Sequence, residues 1–281
     1  MTTTWKLLTP LLAGLAASTP LLSLACEPVP QLVMDTVQAK YISLIGESHG
    51  TEETPQAFYN LVCNVLEKAP NKPLTVGFEL SAVKGIKLTD QASLDNWLAA
   101  DDEWVAPHDG RSSKAMYQLL QRMVQAKQTH PNLSIVLFNV PTGDRDTLMA
   151  NNIISAYHGQ QMLLLAGNFH TQLKQTDNPD FANAPAPMGS YIFNQYPQQT
   201  ASIVISYHGG TQWAWDAEGK GVYSVGKSKL TKPHQARMLN AAEATRTGYD
   251  MAWNVGEVHA SYPYIHTAAD DHAHMPQSVQ K

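Results

Sequence analysis

The chain has 281 residues, 43% of them hydrophobic and 15% charged, with a formal net charge of −5. That length suits one large or two small domains, and sparse, unclustered charge excludes an extended nucleic-acid footprint, which needs grouped Lys and Arg. Coiled-coil heptads, internal repeats and a phosphate-binding P-loop are also missing from the sequence.

Residues 1–25 contain Lys6, an apolar stretch broken by Pro10 and Pro20, and then Ser23-Leu24-Ala25. This is the layout of a signal peptide with a small-residue cleavage site. No unbroken apolar span in it reaches the roughly 20 residues that cross a bilayer. The mature chain is therefore expected in the periplasm or outside the cell, with no integral span after cleavage. Cleavage leaves Cys26 at the new amino terminus, where a lipid anchor is one alternative, although the Leu of LSLAC stands one place too far upstream for a good lipobox. Cys63 is the only other cysteine. An even count in an oxidising compartment favours a Cys26–Cys63 disulfide.

Beyond the signal the pattern alternates strand and helix. KYISLIG predicts a buried strand, and QAFYNLVCNVLEKA a helix that stops before Pro70, after a loop from Ser48 to Pro55. LTVGFEL, LSIVLFNV, QMLLLAG and ASIVISY predict four more strands. SLDNWLAA, SKAMYQLLQRMVQAKQ and DRDTLMANNIISAYH predict helices, the second capped by Ser112 or Ser113 and the third with an acidic start that suits the helix dipole. Strands separated by helices pair in parallel through right-handed crossovers, so the fold class is α/β: a mainly parallel sheet flanked by helices. After Gly209 the texture becomes rich in Trp, Tyr and Gly, and a late strand near YDMAWNVGEV suggests a mixed or antiparallel edge with lids. A single domain is expected over residues 26–267, followed by a polar, disordered tail over 268–281. Asp270, Asp271, His272 and His274 in that tail read as solvated rather than as a weak metal site.

Two Gly-x-x-His tetrapeptides stand at the ends of predicted strands: Gly46-Glu47-Ser48-His49 and Gly167-Asn168-Phe169-His170. Glu79 ends a third. In a parallel α/β sheet the residues just past the carboxyl ends of strands line the ligand crevice, so His49, His170 and Glu79 are expected in one pocket, with Glu47 and Arg111 reaching it. To these residues are added Asp109-Gly110-Arg111 before a helix, the Arg145, Asp146, Met149, Ala150 pattern, and Met188 to Tyr191. In that order, over roughly residues 40–207, they resemble the superfamily of erythromycin esterases, haem-binding ChaN-like lipoproteins and TIKI/TraB proteins. The resemblance implies an α/β core with its pocket at the strand ends. It implies no single reaction, because members include a metal-independent hydrolase, metal-dependent proteases and haem carriers.

The residues themselves support water activation. An imidazole near its ordinary pKa of about 6.5 takes a proton from water at neutral pH when a second group fixes its tautomer. With His49 as base, Glu47 or Glu79 orients it, while His170 and Arg111 stabilise an oxyanion or hold an anionic substrate group. The same His49, Glu79 and His170 form a reasonable ligand set for zinc, manganese or cobalt with a position open to water. An exported hydrolase acting on an ester, amide or peptide bond of a small molecule or peptide is the leading expectation. A non-catalytic carrier of haem or another small ligand is the alternative, with Tyr and His as haem ligand types. The specificity walls are expected in segments 81–111 and 171–190. Ser48 matches G-x-S-x-G formally, but a loop rather than a helix is expected after it, which argues against a nucleophile elbow. Gly256-Glu257-Val258-His259, near Tyr262 and Tyr264, reads as a structural turn, and Trp213 and Trp215 as strand residues covering the core.

Overall fold

A computed structural model describes residues 26–83, 85–106, 109–176, 184–216 and 219–265. The expected signal peptide and polar tail lie outside the described residues. All five apolar runs form strands: β1 (Ile42–Glu47), β2 (Leu74–Ser81), β3 (Leu133–Asn139), β4 (Gln161–Gly167) and β5 (Thr200–Ser206). Two short strands, β8 (Ala236–Met238) and β9 (Met251–Asn254), complete the sheet. Its order is β3-β2-β4-β1-β5-β9-β8, parallel throughout except for the final β8–β9 pair. A separate antiparallel hairpin joins β6 (Thr211–Asp216) to β7 (Gly219–Ser224).

Helices cover both faces. On one lie α1 (Gln31–Ala39), α2 (Glu53–Lys68), α3 (Gln91–Ala100), α4 (Asp102–Val105) and α5 (Lys114–Thr129). On the other lie α6 (Arg145–Ala156) and α7 (Met188–Gln195). The strand pleat feeds the two layers alternately: Leu163 and Leu165 of β4 pack with Phe58, Trp97 and Leu119, whereas Met162 and Leu164 pack with Met149, Ile153 and Ile192. That two-sided burial explains why these strands read as continuous apolar runs. A short α8 (Ala241–Thr247) packs near the sheet edge, capped by Asn240 and Glu243 in a reciprocal box.

Local chemistry explains several element boundaries. Ser113 caps α5, its hydroxyl accepting from the Met116 amide. Asp90 and Ser93 form a capping box on α3. Helix α2 starts at Glu53, inside the stretch expected to be loop, because Pro55 falls in its first turn, where no intrahelical N–H bond is lost. Cys26 and Cys63 are disulfide-bonded, with their Cα atoms 5.7 Å apart, so the chain before α1 is tied to the middle of α2. The pairing suits an oxidising compartment and gives Cys26 a use other than lipidation. Among the described residues no helix is long and apolar enough to cross a membrane.

Candidate functional site

Sheet order builds the site. Because β4 lies between β2 and β1, the end of β4 stands between Glu79 on β2 and the loop that follows Glu47 on β1. Gly167, which pairs with Glu47, is the point of closest approach. A Cβ there would lie 3.0 Å from His49 Nε2, 3.3 Å from Glu79 Oε2 and 3.5 Å from His170 Cδ2. The glycine leaves room for three side chains to converge, and its N–H donates to Glu79 Oε2 at 2.6 Å.

Each histidine is half of a carboxylate dyad. His49 Nδ1 bonds Glu47 Oε1 at 2.9 Å, and His170 Nδ1 bonds Asp146 Oδ1 at 2.7 Å. The other nitrogens turn toward one carboxylate: His49 Nε2 is 3.7 Å from Glu79 Oε2, and His170 Nε2 is 3.7 Å from Glu79 Oε1. Arg145 also donates through Nη2 to Glu79 Oε1, and its Nε donates to Asn139 Oδ1 at 2.8 Å. Its Nη1 approaches His170 Nε2 at 3.3 Å. A guanidinium can only donate, so this contact uses Nε2 of His170 as an acceptor, whereas the approach of the same nitrogen to Glu79 Oε1 uses a proton on it. Asp146 is itself held by the Met188 amide at 2.7 Å, which links α6 to α7 beneath the site.

Arg111 arrives from a 3-10 turn over Gly110–Ser112, as expected of a loop before a helix. Asp109 and Glu103 grip its guanidinium at 2.8 and 3.1 Å, and its Nη1 lies 3.5 Å from Glu79 Oε1. Burial alone would push Glu79 up, but His49, His170 and the two guanidiniums hold it below the usual carboxylate range. Burial likewise opposes the charge on Asp109, which His49 and Arg111 outweigh, bringing it down to about 2. For His49 burial favours the neutral ring, yet the hydrogen bond and charge of Glu47, with Glu79 and Asp109 behind, raise it to about 9. His49 is therefore an imidazolium at neutral pH, not a ring poised near 6.5.

All five expected residues, His49, Glu47, Glu79, His170 and Arg111, thus meet at one end of the sheet. Arg145 and Asp146 belong with them. The sequence showed this Arg-Asp pair as an acidic helix start and as part of the family-like pattern, with no role in the site; Asp146 spends its carboxylate on His170 and Met188, and is 3% exposed. The available signal was position, since α6 begins just past the carboxyl end of β3. Glu103 gave no such signal, and Asp109 stood out only within the Asp109-Gly110-Arg111 motif. The Ser48 hydroxyl accepts from Asn168 Nδ2 at 3.2 Å, while both histidine rings bond carboxylates instead. The third Gly-x-x-His lies apart: Gly256 has φ +96° and packs on the ring of His234, and His259 pairs with Glu53 at 2.7 Å on the surface. Trp213 is buried, but Trp215 is 55% exposed and lies under the Lys220 ammonium, so only the first covers the core. Tyr264 stacks on Tyr117 with ring centroids 4.0 Å apart.

The residues do not fit a divalent ion as arranged. Among the described residues the one group of three metal-ligating types whose donor atoms converge within 4.8 Å contains the disulfide cysteines, not these histidines. Glu79 spends one oxygen on two guanidiniums and the other on the Gly167 amide, and a metal would have to displace those donors. Haem fits no better, because each imidazole has one nitrogen on a carboxylate and the other facing Glu79 rather than an apolar slot. A cavity of about 640 Å³ lies elsewhere, between residues 27–30 and the starts of α2 and α5, and neither His49 nor His170 lines it.

No protein-family model matches the chain, and no curated protein matches its sequence. Its fold is nevertheless shared with solved structures. A succinoglycan biosynthesis protein aligns at TM-score 0.56 and 7% identity, over 83% of this chain and 91% of its own. A Bacillus cereus protein aligns at 0.51 and 11% identity, over 84% and 93%. The erythromycin esterase EreC in its open conformation aligns at 0.51 and 9% identity, over 83% and 94%. Likeness at such identity defines a class of α/β fold, the one that includes an erythromycin esterase, and no activity.

Proposed function

We propose that this is an exported hydrolase in which two histidine–carboxylate dyads act as an acid and base pair on an ester, amide or peptide bond. The observation that carries the reading is the convergence of both dyads on Glu79. Asp146 behind Nδ1 gives His170 the arrangement of a general base, whose Nε2 would take a proton from a water that displaces the Arg145 contact. His49 has a proton to give, and Glu47 orients it toward the leaving group. Arg145 and Arg111 supply positive charge where a tetrahedral oxyanion would form. This assigns to His170 the base role that spacing alone suggested for His49. The likeness to an esterase fold and the disulfide, which suits the periplasm or the exterior, support the reading without naming a substrate.

Purified mature protein should turn over p-nitrophenyl esters without added metal and keep that activity in chelator. His170→Ala and His49→Ala should each lower kcat by about 10²–10⁴, the usual contribution of a positioned acid or base, with unchanged circular dichroism. Full activity in both variants would overturn the assignment. A haem titration tests the carrier alternative: a Soret shift in a protein without turnover would place the chain among ligand carriers.

A further inference from the structure

Glu47 and His49 stand two residues apart, so two peptide units lie between them, and the orientation of those units decides whether the ring reaches its carboxylate. One side chain holds both. Tyr207, the residue after β5, is 6% exposed, and its ring belongs to the core layer that contains Phe58 and Trp253. The Ser48 amide donates to its phenolic oxygen at 2.9 Å, and the phenol donates to the Ser48 carbonyl at 3.3 Å. The first bond fixes the peptide unit from Glu47 to Ser48, and the second fixes the unit from Ser48 to His49. Because β5 pairs with β1 in parallel, with Gly46 opposite Val204, a residue just past β5 stands beside Ser48.

The proton count of the phenol closes. A phenol has one proton to give and lone pairs to accept with. Thr51 Oγ1 donates to Thr54 Oγ1 at 2.9 Å, and Thr54 Oγ1 lies 3.2 Å from the Tyr207 hydroxyl. With Thr54 donating in turn, each hydroxyl gives its proton once: Thr51 to Thr54, Thr54 to Tyr207, and Tyr207 to the Ser48 carbonyl. All three side chains are buried, so the chain is complete without solvent. Burial pushes the Tyr207 phenol above its ordinary range, and it therefore keeps its proton where His49 titrates. We propose that Tyr207 is the positioning residue of the first dyad, its one hydroxyl keeping the His49 ring on Glu47 and facing Glu79. Only its effect on turnover rests on the hydrolase reading, in which it holds the acid in place.

Tyr207→Phe removes the hydroxyl and keeps the ring. The imidazole resonances of the full mature protein should then show the His49 midpoint falling by about one pH unit from its wild-type value of about 9, the change that follows a tenfold weaker hold of Glu47 on the charged ring. The alkaline limb of kcat for a p-nitrophenyl ester should move by the same amount, with KM unchanged. Thr54→Val is the control. It removes a buried hydroxyl of the same chain but leaves the phenol on both Ser48 groups, so Tm should fall while the His49 midpoint stays. A midpoint unmoved in folded Tyr207→Phe, or moved equally far by Thr54→Val, overturns the proposal. If Tyr207→Phe does not fold, hydrogen exchange on the wild-type protein decides instead: the Ser48 amide should exchange about a hundredfold more slowly than in an unfolded peptide, and exchange at the unfolded rate overturns the proposal. Failure of the hydrolase reading looks different, with no ester turnover and the midpoint still shifted.

Discussion

Three carboxylates surround His49 and set its charge before any substrate arrives. With its pKa raised to about 9, above the ordinary 6.5, His49 contributes stability that is complete below about pH 6.5 and is lost as pH rises through about 9. Glu79 works in the opposite sense: held below 4.5, it contributes above that value and loses its contribution as pH falls through its folded pKa. The urea midpoint should therefore decline on the alkaline side, and Glu47→Gln should flatten that decline. Imidazole resonances give the direct check, since the His49 midpoint should sit near pH 9 and drop in Glu47→Gln; a wild-type midpoint near 6.5 refutes the charge assignment. Ester turnover should fall over the same alkaline range, as the acid loses its proton. Gly167→Ala is the sharpest steric probe at this scale. Its methyl would press on His49 Nε2 and Glu79 Oε2, which neighbours pin, so we expect a cost of about 1–3 kcal/mol and a larger proportional loss of kcat. Unchanged kcat with a well-folded variant would mean that the dyads do not need this spacing.

Among the elements, the β1–α2 loop is held by backbone contacts at its glycine. Gly50, at φ +78°, accepts from the amides of Trp213 and Ser261 through one carbonyl, at 2.9 and 2.8 Å. A Cβ at Gly50 would sit 1.9 Å from the Trp213 carbonyl oxygen, and one at Gly110 would sit 2.2 Å from the Gly50 amide. Backbone thus crosses backbone where the first histidine leaves its strand. Gly50→Ala should destabilise by about 1–3 kcal/mol from the left-handed backbone alone and more from the clash, seen as a lower Tm with weakened activity. The disulfide acts on a different element, joining the approach to α1 to α2 across a separation of 37 residues. Cys63→Ser should lower the unfolding free energy by about 3 kcal/mol under non-reducing conditions, since the closed loop restricts the unfolded chain. An equal stability in reduced and oxidised protein would show that packing of residues 27–30 against α2 suffices.

At the level of the whole molecule, the parallel sheet gathers distant segments at one edge. Each crossover helix returns the chain to the opposite edge, so all five long strands end at one edge, and His49, Glu79 and His170 meet there because β4 lies between β2 and β1. The five long strands, the capped helices and the disulfide partners were legible because burial on both faces demands unbroken apolar runs and because only two cysteines exist. The Gly-x-x-His motifs placed the two histidines for the same reason. Other parts were not legible. Helix α7 lacks an N-cap side chain, and β8 pairs only with β9, so neither had a strong local signature. Segment 81–111 supplies Glu103, Asp109 and Arg111 to the ion-pair cluster beside Glu79, an arrangement that no local pattern in that segment foreshadowed. Local pattern therefore determined the elements, their parallel pairing and which residues stand at strand ends, since periodicity, turns and caps depend on neighbours in sequence. Tertiary structure alone decided that β4 enters between β2 and β1, that Asp146 rather than a strand-end carboxylate orients His170, and that three carboxylates crowd His49, because charge and proton position depend on distances between residues far apart in the chain.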